Sequence, residues 1–227
     1  MPQLGALASP DVAGMAKNGT VLAVPLGSTE QHGRHLPLST DTDIAIALCE
    51  RLAQVRNVVV APAVPYGSSG EHAGFAGTLS IGQNALELLV IELCRSATDT
   101  FDLILFVSGH GGNAEPLARA VTRLRAERRR VLAWAPEWDG DPHAGRPETA
   151  MMLALQPTQV TMMRAEPGDS RPLAEIMPLL REGGVRAVSA NGVLGDPTGA
   201  TAHEGRELLD ALAADLRAAV DLWMVAG

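Results

Sequence analysis

Glu30, His32 and Asp41 are the residues of this 227-residue chain whose types and spacing most clearly suit chemistry. Glu30 and His32 sit in the run Gly27-Ser28-Thr29-Glu30-Gln31-His32-Gly33, directly after the apolar stretch Val21–Leu26. On an extended loop, residues two apart point the same way. Asp41 returns nine positions after His32, with Pro37 stiffening the passage between them. A carboxylate, an imidazole and a second carboxylate form a mixed oxygen and nitrogen donor set that suits zinc or ferrous iron. Singly, each residue reads more readily as a cap, a surface charge or a loop histidine. Grouped between Gly27, Gly33 and Pro37, they point to a loop that closes on a divalent cation, and so to hydrolysis.

Two further segments add groups of the same kind. Ser108-Gly109-His110-Gly111-Gly112-Asn113 supplies an imidazole after a second apolar run. With Ala114 it also fits the dinucleotide pattern G-x-G-x-x-A, and Glu137 stands where a ribose-binding acid would. That reading leaves Glu30, His32, Asp41 and His143 unexplained, and it puts the fingerprint on a later strand than usual. The second segment, Asp141-Pro142-His143-Ala144-Gly145-Arg146-Pro147-Glu148-Thr149, leads into a helix. There His143 could shuttle a proton. Glu148 could act in catalysis, reach a metal, or be an ordinary first-turn acid. The glycine-rich stretch Tyr66–Thr78 is either a loop that shapes the pocket or an ordinary surface loop. Its Phe75, with Trp138, offers aromatic contact to a substrate. His35 and His203 read as surface residues or as neighbours of the site, and Trp134, Trp138 and Tyr66 more readily pack than recognise.

The elements that must position these groups alternate in type. Strands are predicted over Val21–Leu26, Val58–Ala61, Leu103–Val107 and Val131–Ala135. Helices are predicted over Asp41–Val55, Gln83–Ala97, Ala114–Arg128 and Glu148–Leu155. This order implies an α/β fold, three layers α/β/α with a mainly parallel central sheet. Sites in such folds form beyond the carboxyl ends of the strands, so Glu30, His32, Asp41, His110 and His143 can converge. The last third is less regular. It predicts a helix over Arg171–Arg181, a strand over Val185–Ser189, a turn over Val193–Gly199 and a helix from Thr201 to Trp223.

Composition sets the outer bounds. No charge run or low-complexity stretch divides the chain, which favours one domain over residues 1–227. A net charge of −8 argues against nucleic-acid binding, and the arginines from Arg119 to Arg130 read as the solvated side and end of a helix. No apolar run approaches the roughly 20 residues needed to span a bilayer, so no membrane partner is expected. Met1–Asn18 has no signal-peptide pattern, and Cys49 and Cys94 fall on apolar helix faces. Both features suit a reducing, cytoplasmic setting.

With these residues in place, the chain resembles the creatininase family of metal-dependent amidohydrolases. The likeness rests on Gly27–Gly33, Leu36-Pro37-Leu38, Asp41-Thr42-Asp43 and Gly109–Asn113, and it extends over nearly the whole chain. Tyr66–His72, Phe75–Thr78, Asp141–Gly145 and Gly192–Thr198 are most similar to the members that process a modified ribosomal precursor peptide. The resemblance implies a creatininase-like fold with one or two divalent ions per chain, Zn2+ or Fe2+. It implies Glu30 and His110 on one ion, His32 on the other and Asp41 between them. It also implies a homo-oligomer and a peptide substrate whose C-terminal Val-Tyr pair has been decarboxylated and cross-linked, released as a small cyclic product. One position departs from the pattern. Creatinine-hydrolysing members carry a glutamate two residues after the histidine that matches His110, and here that residue is Gly112. Glu148 is the nearest replacement for the missing carboxylate.

Overall fold

The structure is a computed structural model that describes residues 2–226. Its centre is a four-stranded sheet made of β1 (Val21–Leu26), β2 (Val58–Val60), β3 (Leu103–Ser108) and β4 (Val131–Trp134). The order is β2-β1-β3-β4 and every pairing is parallel, with Val21 opposite both Val58 and Leu103, and Ile104 opposite Val131. All six residues of β1 and all six of β3 are buried. That is why both read as unbroken apolar runs: a central parallel strand is covered on both faces.

Alternate residues feed two cores. Val21, Ala23, Leu103, Leu105 and Val107 pack with α2 (Thr40–Val55), α5 (Arg146–Leu155) and α7 (Ala202–Ala226) through Ile44, Leu48, Met151, Met152, Leu209 and Leu216. Leu22, Val24, Ile104 and Phe106 pack with α3 (Gln83–Ala97) and α4 (Ala114–Ala126) through Leu86, Val90, Leu117 and Leu124. Val12 and Met15 of α1 (Ser9–Ala16) join the second core. The result is the predicted three-layer α/β/α arrangement. Each fully buried Leu, Ile or Phe contributes about 1.5–3 kcal/mol relative to an exposed one. Cys49 and Cys94 are buried, unpaired core thiols, as their helix faces predict.

One predicted element is corrected. Val185–Ser189 is not a strand; Val185–Ala187 forms a single 3-10 turn after α6 (Leu173–Gly183). Gly184 at φ 68° turns the chain out of α6, and Val185 then packs against Ile176 and Leu194 in a third, small apolar cluster. With that cluster to fill, an apolar segment needs no strand partner. No described helix is long and apolar enough to cross a membrane.

Candidate metal centre

Each strand of the sheet delivers part of one cluster at its carboxyl end. The loop after β1 brings Glu30 and His32, and the start of α2 brings Asp41. The loop after β2 brings His72, the loop after β3 brings His110, and the segment after β4 brings His143 and Glu148. All of these side chains are buried, and His32 and Glu30 have no solvent exposure. His32 Nε2 lies 3.0 Å from Asp41 Oδ1 and 3.9 Å from Glu148 Oε2. His110 Nδ1 lies 3.2 Å from both Glu30 Oε1 and Asp41 Oδ2. Ligand atoms therefore fall into two adjoining groups, Glu30–Asp41–His110 and His32–Asp41–Glu148, with one Asp41 oxygen facing each. His143 also groups with Glu30 and His32.

Local backbone explains the placement of Glu148. Ala144 is held at φ 51° and aims its N–H at Glu148 Oε2, 2.5 Å away. A non-glycine residue in that left-handed conformation costs of order 1–3 kcal/mol, the kind of strain that collects at functional sites. Ser28 Oγ donates to Asp41 Oδ2 at 2.6 Å and fixes the carboxylate between the two groups.

Hydrogen bonding sets which ring nitrogens face the cluster. His110 Nε2 is 3.0 Å from the Ser68 carbonyl, and His32 Nδ1 is 3.2 Å from the Glu30 carbonyl. A carbonyl only accepts, so each of those nitrogens carries the hydrogen. In neutral rings this leaves His110 Nδ1 and His32 Nε2 bare, both aimed at carboxylate oxygens. Facing lone pairs repel unless a proton or a cation lies between them. Both Glu30 carboxylate oxygens are buried without a hydrogen-bond partner. An ionised buried carboxylate left in that state is very costly, and a divalent ion removes the cost. Histidines whose second nitrogen donates to a carbonyl are also the usual form of metal ligand. The donor set therefore fits a divalent metal.

Protonation tells the same story for the metal-free protein. Burial lowers the His32 pKa, but Asp41 beside it, with Glu148 and Glu30, outweighs burial and raises it to about 10. Burial also works against a charge on His110, yet Glu30 and Asp41 hold its pKa well above the ordinary value. Burial pushes Glu148 up to about 7; His32 opposes the rise and Asp41 adds to it. His143 behaves differently. Burial, with His32 and His72 nearby, holds it well below the ordinary histidine value, so the ring is neutral near pH 7. Its cavity, of about 390 Å³, is also lined by Asp41, His110, Trp138, Pro142 and Glu148.

The creatininase family, described as creatinine amidohydrolase, matches residues 5–220. The chain belongs to the creatininase family. A relative from Mycobacterium tuberculosis (strain CDC 1551 / Oshkosh), named mycofactocin precursor peptide peptidase, is 45% identical over 99% of this chain and 94% of its own. A relative of the same name from Mycolicibacterium smegmatis (strain ATCC 700084 / mc(2)155) is 52% identical over 83% of this chain and 79% of its own. Among solved structures, a mutant creatininase described as Zn-Zn type superposes with TM-score 0.83 at 24% identity, covering 96% of each chain.

Within this creatininase-family site, the departure at Gly112 has a structural cause. A Cβ there would overlap the Ser68 carbonyl, the Glu71 carboxylate and His110 Nε2, so no side chain fits. Glu148 instead reaches the His32–Asp41 group. The structure brings together every predicted site residue, Glu30, His32, Asp41, His110, His143 and Glu148. His35 is buried beside the site and bonds Thr149 Oγ1 at 2.9 Å, while His203 is exposed. Trp138 lines the cavity, but Phe75 packs with the Ile176 cluster under the Arg186 guanidinium instead of facing a substrate. His72 and Gln31 are the members that sequence reasoning missed. Glu71-His72 does sit in a polar, glycine-rich loop after β2, the same position in the fold as the loops that carry Glu30, His32 and His110.

Proposed function

We propose that this protein is a metal-dependent peptidase that hydrolyses an amide bond in a modified ribosomal precursor peptide and releases its C-terminal Val-Tyr-derived cyclic product. The observation that carries the hydrolytic reading is the Glu30 carboxylate, both of whose oxygens are buried among imidazole nitrogens and carboxylates with no contact of hydrogen-bond geometry. The names of the mycobacterial relatives support the peptide substrate. Glu30, Asp41 and His110 would hold one ion, and His32, Asp41 and Glu148 a second. Zinc or ferrous iron suits these donors. Such an ion, when bound, lowers the pKa of water toward neutrality and polarises an amide carbonyl.

The chain supplies the rest. His143 Nε2 faces the Gln31 carbonyl at 2.9 Å and carries the hydrogen, so its Nδ1 is the free base. It accepts a proton from the attacking water and returns it to the departing nitrogen, which otherwise leaves poorly as an anion. Trp138, Pro136 and Pro142 give the cavity an apolar wall for a phenol-bearing end. This reading places the protein in the cytoplasm, in keeping with two unpaired buried thiols, and the family resemblance implies a homo-oligomer.

Selectivity against an unmodified peptide follows from charge. Of the acidic residues lining the cavity, Asp41 and Glu148 would be taken up by the ions, which leaves Glu137 and, among the described lining residues, no lysine or arginine to pair with a carboxylate. An intact C-terminal carboxylate would enter unpaired, at a desolvation cost of several kcal/mol. Zinc-loaded protein is expected to cleave the modified precursor and not the same peptide with an intact Val-Tyr end. Comparable cleavage of both overturns the reading, and rapid creatinine hydrolysis would replace it with that of another amidohydrolase. Glu148→Gln is expected to lower the metal content toward one ion per chain by elemental analysis. Unchanged content with reduced turnover would make Glu148 a catalytic group instead.

A further inference from the structure

Gln31 lies between two proposed metal ligands in sequence, and its side chain is buried against His72, His143 and Gly192. Its amide orientation is fixed: Oε1 accepts from the Gly33 N–H at 2.9 Å, so Nε2 holds both hydrogens. Three atoms stand within reach of Nε2, namely the Gly192 carbonyl at 3.0 Å, His72 Nδ1 at 2.9 Å and His143 Nε2 at 3.0 Å. The Gly192 carbonyl can only accept. His143 Nε2 carries its own hydrogen, because it lies 2.9 Å from the Gln31 backbone carbonyl. The second amide hydrogen therefore goes to His72 Nδ1. His72 must then carry its hydrogen on Nε2, which stands 3.3 Å from Glu30 Oε1, outside hydrogen-bond geometry but close enough for the N–H dipole to attract the carboxylate.

His72 thus differs from His32 and His110. Those rings turn a bare nitrogen toward the cluster; His72 turns a hydrogen-bearing one toward it. We infer that Gln31 is a positioning residue that locks His72 in the Nε2–H form, so that His72 steadies the Glu30 carboxylate for the metal without ligating it. In the same contacts Gln31 joins the loop after β1 to the loop after β2, to the segment after β4 and to the turn at Gly192. The inference rests on the proposed metal centre only for its effect on affinity; the tautomer stands on the hydrogen bonds alone.

The test is nitrogen-15 NMR of the histidine rings, with and without zinc, together with zinc affinity by competition with a chelator. Wild-type His72 is expected to show the Nε2–H signature in both states. Gln31→Met keeps the volume and removes the donor. It is expected to release His72 from that single tautomer and to raise the zinc Kd about tenfold, the scale of losing an outer partner of a metal ligand. Gln31→Glu should drive His72 to the Nδ1–H form, since a carboxylate can only accept. An Nδ1–H signature in the wild-type protein overturns the inference whether or not either variant folds. An unchanged tautomer or a zinc Kd within twofold of wild type in a folded Gln31→Met also overturns it. Failure of the wild-type protein to bind zinc, with His72 still Nε2–H, would instead count against the metal reading.

Discussion

Asp41 presents one oxygen to His32 at 3.0 Å and the other to His110 at 3.2 Å, while Ser28 holds the carboxylate in place. Both ligand groups share it, whereas His32 stands with Asp41 in only one of them. Asp41→Asn replaces one of those oxygens with an amide nitrogen that cannot ligate. Losing even an outer partner of a metal ligand costs about 10–100-fold. Asp41→Asn is therefore expected to reduce kcat/KM about tenfold more than His32→Ala, and to lower the zinc content of both groups. Equal activity of the two variants after zinc loading would sink the shared-ligand assignment. At this scale the sequence was legible where residue type and spacing coincided, as at Glu30, His32, Asp41 and His110. The loop of His72 was legible as a polar, glycine-rich one, but its contact with Gln31, forty-one positions away, is recorded by no local pattern.

The strands and long helices were legible because burial imposes a period. β1 and β3 read as unbroken apolar runs, and α2 through α5 show one apolar face each. Val185–Ser189 misled because a short apolar run is the same whether it pairs with a strand or fills a pocket beside α6. Ser9–Ala16 gave no signal because none of its residues is fully buried; Val12 and Met15 are only half-buried against the second core. Helix contact at close range was also invisible. Gly205 of α7 lies against α5, and a Cβ there would overlap the Ala150 carbonyl, two residues beyond Glu148. Overpacking of this kind costs about 1–3 kcal/mol. In a chain of this size each kcal/mol moves Tm by roughly 2–4 °C. Gly205→Ala is expected to lower Tm by roughly 2–12 °C and to weaken the second equivalent of zinc more than the first, because α5 must shift. An unchanged Tm in thermal denaturation would show that α7 yields without disturbing α5.

Over the whole molecule, the centre couples folding to pH and to metal. The metal-free fold holds a proton on His32 up to about pH 10, because Asp41, Glu148 and Glu30 outweigh the opposing effect of burial; an unfolded histidine releases it near 6.5. Between those values the folded state binds more protons than the unfolded state, so stability falls as pH rises. The contribution is fully present below about pH 6.5 and is lost as pH passes about 10. His110, also raised, acts in the same direction. A divalent ion bound at His32 and His110 would take the place of these protons, so its binding would release them and strengthen with pH. The chain's formal charge of −8 grows more negative over the same range and adds self-repulsion, but that term is common to both forms. The difference between the forms isolates the centre. Thermal melts at pH 7 and pH 9.5 should show the chelator-treated protein losing Tm relative to the zinc-loaded protein, with proton release on zinc binding seen as buffer-dependent heats in calorimetry. Parallel pH profiles for the two forms, with no proton released, would mean that zinc does not bind at His32 and His110.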